Sequence, residues 1–136
     1  MSINIQLEWI KASKLDLENI KYIIKVEHLT SVVAFHSQQS IEKSFKAIIE
    51  KLDKKIPKQH DLIKLKSLFA EKINMDINED ILDSLNLLYI ESRYPGDLGL
   101  LPYGKPTLED AKIFYQTAIE IFDKTCDILG IDKRKI

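Results

Sequence analysis

Apolar residues recur every three or four positions along most of the chain, and this spacing predicts amphipathic α-helices. A first helix is predicted over residues 3–27, with apolar positions at Leu7, Ile10, Leu17, Ile20 and Ile24. Thr30 or Ser31 can cap a second helix that runs to about Lys54. Pro57 then ends the helical pattern.

Two further helices are predicted in the middle of the chain. One spans residues 60–73, with inward positions at Leu62, Leu65 and Phe69. Asp76 or Asn78 can cap the next, whose apolar positions are Ile81, Leu82, Leu85, Leu88 and Tyr89. Residues 93–106 follow and hold three of the four glycines and three of the four prolines, a density that no helix or central strand tolerates. This long loop is a candidate functional element.

A last helix is predicted after the loop. Thr107 caps it, Asp110 stands at its third position and Gly130 ends it. No segment shows the period of two that strands require. The predicted fold is therefore an all-α, up-and-down bundle of four to five helices, and its 136 residues fit one domain spanning residues 1–136.

Composition narrows the class of protein. Hydrophobic residues make up 45% and charged residues 30%, which is typical of a globular protein rather than a disordered one. The net charge of −1 excludes an overall basic surface for nucleic acid, so any attraction for phosphate must be local. Cys126 is the single cysteine, and no signal peptide or membrane span is visible. We expect a cytoplasmic location without membrane attachment.

Polar residues recur on the second helix, beside its apolar stripe. Those with chemistry are His36, Gln39, Glu42, Lys43 and Lys46. Because residues three or four apart share a helix face, a histidine, an amide and two ammonium groups can line up there. This face predicts either a site for a phosphate-bearing ligand or a solvated surface on which Glu42 pairs with Lys46.

Other candidates lie at helix ends. Arg93 offers a rigid fork of donors suited to phosphate, and Tyr94 can stack on a base. Alternatively, Arg93 caps the carbonyls of its own helix while Tyr94 packs under the loop. His36 either lines the same cleft or is a partly buried, hydrogen-bonded histidine. His60 is expected to start a helix, and Trp9 to lie in the core or in a dimer interface.

No sequence pattern indicates a metal, a cofactor or a catalytic nucleophile. Histidine and cysteine spacings match no zinc site, and the glycines of residues 96–104 lack the strand and the GK[ST] ending of a phosphate loop. A GxSxG nucleophile motif is missing as well. We predict no cofactor, no metal site and no catalytic residue.

Several blocks of sequence, taken in order, point to one family. They are Trp9, Ala12 and Asp16-Leu17, then FHSQQSIEKSFKAII at 35–49, His60-Asp61-Leu62, Tyr89, and Ser92-Arg93-Tyr94-Pro95. In this order and spacing the chain resembles the HEPN domain family, including the copy at the end of sacsin, over about residues 5–130. The resemblance implies a helical bundle that forms a homodimer and associates with nucleotides or RNA.

The resemblance also implies a partner and, for many members, an activity. Prokaryotic members are often encoded beside a minimal nucleotidyltransferase and act with it as a toxin–antitoxin pair. Many toxin members are metal-independent ribonucleases whose motif is Arg, a spacer of four to six residues, then His, at a dimer cleft. Here Arg93 is followed by no histidine, and all three histidines precede it. Imidazole suits proton transfer near neutral pH, so binding without cleavage fits this chain better.

The sequence therefore predicts a HEPN-like domain that binds a nucleotide or RNA and acts with a minimal nucleotidyltransferase partner. The predicted ligand-binding residues are His36, Gln39, Lys43, Lys46, Arg93 and Tyr94. Two alternatives stay open. One is a divergent metal-independent ribonuclease that uses His36 or His60 as its base, and the other is a purely structural dimerisation module.

Overall fold

The computed structural model describes residues 4–91 and 104–136, and these residues fold into an all-α bundle, as predicted. The helices are α1 (Ile5–Ile23), α2 (Thr30–Lys51), α3 (Leu62–Ser67), α4 (Glu79–Glu91) and α5 (Leu108–Leu129). A short 3₁₀ helix at Glu27–Leu29 lies between α1 and α2, and a second, at Lys133–Lys135, follows α5. The helical period read from the apolar residues is thus confirmed over most of the described chain.

Helix α2 is the central element of the bundle, because α1, α3, α4 and α5 all pack against it. Its burial is not confined to one apolar stripe. The polar residues of α2 that are buried beyond its first turn are Ser37, Gln38, Ser40, Glu42, Ser44 and Lys46. The predicted solvated face is therefore wrong for Glu42 and Lys46, since neighbouring helices cover the side on which they lie.

Small side chains let α1 approach α2 closely. Ser13 Oγ donates to the Ser40 carbonyl at 2.8 Å and lies 2.8 Å from Ser40 Oγ and 3.0 Å from Ser44 Oγ. All three serines are fully buried. Because these hydroxyls satisfy one another, the close contact leaves none of them unpaired.

The start of α2 differs from the prediction. Leu29 occupies the N-cap position, and no side chain caps the helix there. Thr30 already has helical backbone angles, φ −60° and ψ −35°, whereas an N-cap residue needs an extended backbone to bend its side chain over the first turn. The predicted cap at Thr30 or Ser31 is therefore wrong, and within the described residues both hydroxyls are buried without a hydrogen-bond partner.

Helix α3 is shorter than the predicted helix over residues 60–73. Asp61 is its N-cap and accepts hydrogen bonds from the N–H groups of Ile63 and Lys64. Hydrogen bonds between residues three apart, such as Phe69 N to the Lys66 carbonyl, then tighten the chain and end the α-helical pattern. His60 consequently precedes the helix instead of starting it.

The first helix, predicted over residues 3–27, is shorter in the structure, whereas the start of α4 and both ends of α5 follow the predicted chemistry. Asn78 Oδ1 accepts from the N–H of Asp80 at the start of α4. Thr107 and Asp110 form a capping box on α5, and Gly130 ends that helix with φ 68°, a left-handed conformation that glycine adopts without strain. Most of the predicted glycine- and proline-rich loop lies outside the described residues.

Candidate ligand-binding site

A buried carboxylate of α1 holds two basic side chains of α2. His36 Nδ1 lies 2.9 Å from Asp16 Oδ1, and Lys43 Nζ lies 2.7 Å from Asp16 Oδ2. His36 and Lys43 are seven residues apart and therefore share one face of α2. Both side chains stay partly exposed, so a ligand at this surface can reach them although Asp16 itself is almost covered.

A second carboxylate, on α2 itself, joins a lysine to a histidine. Glu42 Oε2 accepts from Lys46 Nζ at 3.0 Å, and Glu42 Oε1 lies 2.9 Å from His60 Nδ1. The side chains of Glu42 and Lys46 are only 6% and 8% exposed, whereas that of His60 is 48% exposed. The network therefore begins in the interior and reaches the surface at the His60 ring.

Two neighbours hold this second network in place. Gln38 Nε2 donates to the His60 carbonyl at 2.8 Å and to Glu42 Oε1 at 3.3 Å, which ties the turn before α3 to α2. The Lys46 ammonium lies over the Trp9 ring, 5.5 Å from its centre. Trp9 itself is half-buried and packs against the core.

Four aromatic rings connect the two networks. The ring of His36 meets Phe35 edge to face at 5.4 Å, and Phe35 stacks with Tyr89 at 6.1 Å. Tyr89 stacks in turn with His60 at 5.0 Å, with 30° between the planes. We call these residues the ring row. It joins α2, the turn before α3 and the C-terminal end of α4.

A cavity of about 270 Å³ opens beside the His60 end of the ring row. It lies between the turn at residues 59–61, the start of α3 and the last turns of α4. The residues that line it are Gln59, His60, Asp61, Lys64, Asn86, Tyr89 and Ile90. We call it the α3–α4 cavity.

The predicted site residues divide into three groups. His36 and Lys43 both contact Asp16, whereas Gln39 donates through Nε2 to Gln38 Oε1 at 2.6 Å. Lys46 points inward to Glu42. Arg93 and Tyr94 belong to residues 92–103, which the structure does not describe.

Sequence reasoning missed the residues that organise these groups. Asp16 is far from α2 in sequence, so no spacing rule pairs it with His36. The apolar periodicity places Tyr89 in the hydrophobic stripe of α4, and no sequence motif indicates a role for Asn86. The four-residue spacing does predict the Glu42–Lys46 pair. The structure confirms this ion pair and shows that both side chains are buried.

The described residues offer neither a metal site nor a reactive thiol. In residues 4–91 and 104–136, no three His, Cys, Asp or Glu side chains are placed to hold a metal ion. Burial raises the pKa of the Cys126 thiol to about 11, and the negative charge of Asp123 acts in the same direction. Cys126 therefore stays protonated near neutral pH and is a poor nucleophile.

Comparison with known proteins gives one match. The family model of the HEPN domain matches residues 6–129, nearly the whole chain. Searches of curated proteins and of solved structures find no match. Over the described part of the chain, no helix combines the length and apolarity that a membrane span requires.

Proposed function

This chain belongs to the HEPN domain family, and on that basis we propose that it binds a nucleotide or RNA. In this proposal it does so as a homodimer and acts with a minimal nucleotidyltransferase partner in a toxin–antitoxin type system. The observation that carries the binding proposal is the ring row, whose two terminal histidines are each held by a buried carboxylate.

The chemistry of the ring row suits a nucleotide. Aromatic rings stack on bases of any sequence, and imidazole nitrogens exchange hydrogen bonds with phosphate and ribose oxygens. Asp16 and Glu42 fix the orientation of the two imidazoles before a ligand arrives, which lowers the entropy cost of binding. Arg93 and Tyr94 follow the last residue of α4 in sequence, and we propose them as further ligand contacts.

We propose different roles for the two lysines of α2. Lys43 is paired with Asp16 but partly exposed, so we propose that it contacts phosphate together with His36 and Gln39. Lys46 is covered and paired with Glu42, so we propose that it acts by positioning this carboxylate. We propose Arg93 for the main phosphate contact, because a guanidinium group can donate two parallel hydrogen bonds to a phosphate.

Fluorescence anisotropy with labelled ATP and with a short labelled single-stranded RNA tests this proposal. We expect wild type to bind at least one of them and Arg93→Ala to bind it about 10-fold more weakly, the loss typical of a hydrogen bond to a charged group. Lys72→Ala, which removes an exposed lysine elsewhere, is the matched control and should bind like wild type. If wild type binds neither ligand, the proposal is wrong. Light scattering of the same samples tests the homodimer.

A divergent ribonuclease is the second candidate, because His60 has the arrangement of a general base. Its Nδ1 faces Glu42, and Nε2 of this half-exposed ring has no partner among the described residues, so Nε2 can take the proton of a ribose 2′-hydroxyl. The 2′-oxygen would then attack the adjacent phosphorus, the 5′-oxygen would leave and take a proton from water, and a cyclic phosphate would form. No redox partner or metal is needed for this step.

Incubation of single-stranded RNA with a metal chelator present tests the ribonuclease candidate. If the candidate is right, wild type cleaves the RNA and His60→Asn loses about 100-fold or more of the rate, as expected for removal of a general base. His28→Asn replaces an exposed histidine outside the ring row and should cleave like wild type. RNA that stays intact with wild type, or cleavage that His60→Asn leaves unchanged, contradicts it.

A further inference from the structure

We propose that the α3–α4 cavity is a pocket for one unpaired base with its phosphate. The inference rests on the proposed binding of a nucleotide or RNA and specifies the class of ligand: a mononucleotide or a single-stranded RNA segment, and not a duplex. The two sources share the base–phosphate unit, and the experiment below separates them.

The size of the cavity sets the first limit on its occupant. Its volume of about 270 Å³ lies just below the range of about 300–1,000 Å³ that is usual for small-molecule sites. A base with part of its ribose fits such a volume, whereas two stacked nucleotides do not. The pocket therefore suits a single base that has left its neighbours.

One wall of the cavity is aromatic. Among the described residues His60 is the most exposed member of the ring row, and Tyr89, on which it stacks, is half-buried. The contact with Glu42 holds the His60 ring in this position. A base that enters the cavity can extend the stack on His60, and such stacking on a protein ring needs a base whose face is uncovered.

The polar floor of the cavity combines an acceptor with a donor. Asp61 Oδ1 is occupied, since it accepts from the N–H groups of Ile63 and Lys64 and from Asn86 Nδ2. Asp61 Oδ2 makes no hydrogen bond with residues 4–91 or 104–136. The Asn86 amide uses one of its two N–H groups on Asp61, and the other has no acceptor among the described residues. Asp61 and Asn86, joined at 3.0 Å, thus bring an acceptor and a donor to the lining, and the polar edge of a base can bond to both.

The rim of the cavity adds donors. Gln59 Oε1 accepts from the N–H groups of His60 and Asp61, both at 3.1 Å, so its amide NH₂ remains as a donor. Lys64 forms no ion pair with the part of the chain that the structure describes, in contrast to Lys43 and Lys46. Its ammonium is therefore not held by a carboxylate of the described residues. We assign Lys64 to the phosphate of the base in this cavity, in addition to the phosphate contacts proposed above for Lys43 and Arg93.

Three probes test the pocket: AMP, a short single-stranded RNA that carries one fluorescent adenine analogue, and the same RNA annealed to its complement. Stacking on a protein ring changes the fluorescence of the analogue. We expect wild type to bind the single strand or AMP at least 10-fold more tightly than the duplex. His60→Ala should weaken that binding about 5- to 100-fold, which is the range for loss of base stacking, and Lys64→Gln about 5-fold.

Matched controls separate the pocket from general effects. His28→Ala and Lys72→Gln remove an exposed histidine and an exposed lysine elsewhere and should bind like wild type. His60→Ala changes the partner of Glu42, so its unfolding transition must be measured as well. Lys64→Gln, whose side chain has no ion pair in the described residues, keeps the test valid if His60→Ala does not fold.

The outcomes are distinct. If AMP binds as tightly as RNA, the occupant is a free nucleotide. If only RNA binds, the occupant is an unpaired base of the RNA strand. Either of these two results supports the pocket. If wild type binds the single strand but Lys64→Gln and a folded His60→Ala bind equally well, the pocket is wrong while the proposed function stands. Equal affinity for the duplex also overturns the pocket. If wild type binds no probe, the proposed function fails together with it.

Discussion

Replacement of Glu42 by alanine is expected to lower the free energy of unfolding by about 3–5 kcal/mol, the usual result of breaking a buried ion pair from one side. Glu42 is the carboxylate that accepts from Lys46, and both side chains are buried. Without it, the Lys46 ammonium keeps only the Trp9 ring as an electrostatic partner among the described residues. The interior charge then lacks the hydrogen bonds that offset its desolvation.

Urea denaturation of the wild type and of Glu42→Ala gives this difference directly. Glu50→Ala removes a partly exposed carboxylate of the same helix and should change stability by about 0.5 kcal/mol or less. The double variant Glu42→Leu with Lys46→Leu removes both charges and should recover the part of the loss that comes from the unpaired ammonium, whereas the contacts of Glu42 with Gln38 and His60 stay lost. A double variant that is less stable than Glu42→Ala would contradict this account of the pair.

The second large effect is expected in the core. Phe45→Ala should cost about 3–5 kcal/mol, because it removes a fully buried ring and leaves a cavity that the helices fill only in part. Phe45 meets Phe69 edge to face at 5.2 Å, so α2 also loses a contact with the segment that follows α3.

The same denaturation assay measures the loss. Tyr22→Ala is the control, since this tyrosine is 85% exposed and its removal should change stability by about 0.5 kcal/mol or less. A double-mutant cycle with Phe69→Ala gives the coupling between the rings, expected at about 0.5–1.5 kcal/mol. A loss below about 1 kcal/mol for Phe45→Ala would mean that the core is not packed as described.

Local features of the sequence predicted the local features of the fold. Thr107, Asp110 and Gly130 mark the ends of α5 through hydrogen bonds and backbone angles that involve only near neighbours. The prediction of a cap at Thr30 or Ser31 was wrong, because the chain enters α2 directly from a 3₁₀ helix and Thr30 is already helical.

The candidate site shows the same division. The sequence predicts Gln39, Lys43 and Lys46 on one face of α2 with His36 beside them. In the structure Asp16 joins His36 and Lys43, whereas Gln39 donates to Gln38 and Lys46 to Glu42. The sequence did not identify Asp16 as the carboxylate that joins two of them. The sequence also did not predict the stacking of Tyr89 on His60, because that contact depends on how α4 packs against the turn before α3.

The pattern of residues was sufficient for the helices, the start of α4, the ends of α5 and the family, because periodicity and capping act between residues a few positions apart. The packing of the bundle decided which polar groups are buried and which partners they meet. Glu42 and Lys46 are an ordinary surface pair by their spacing, and they become an interior network only because neighbouring helices cover that side of α2. The network reaches the surface at His60, beside the α3–α4 cavity. A contact between segments that are distant in the chain depends on how the helices pack and which faces they bury. The spacing of residues along one helix does not determine this.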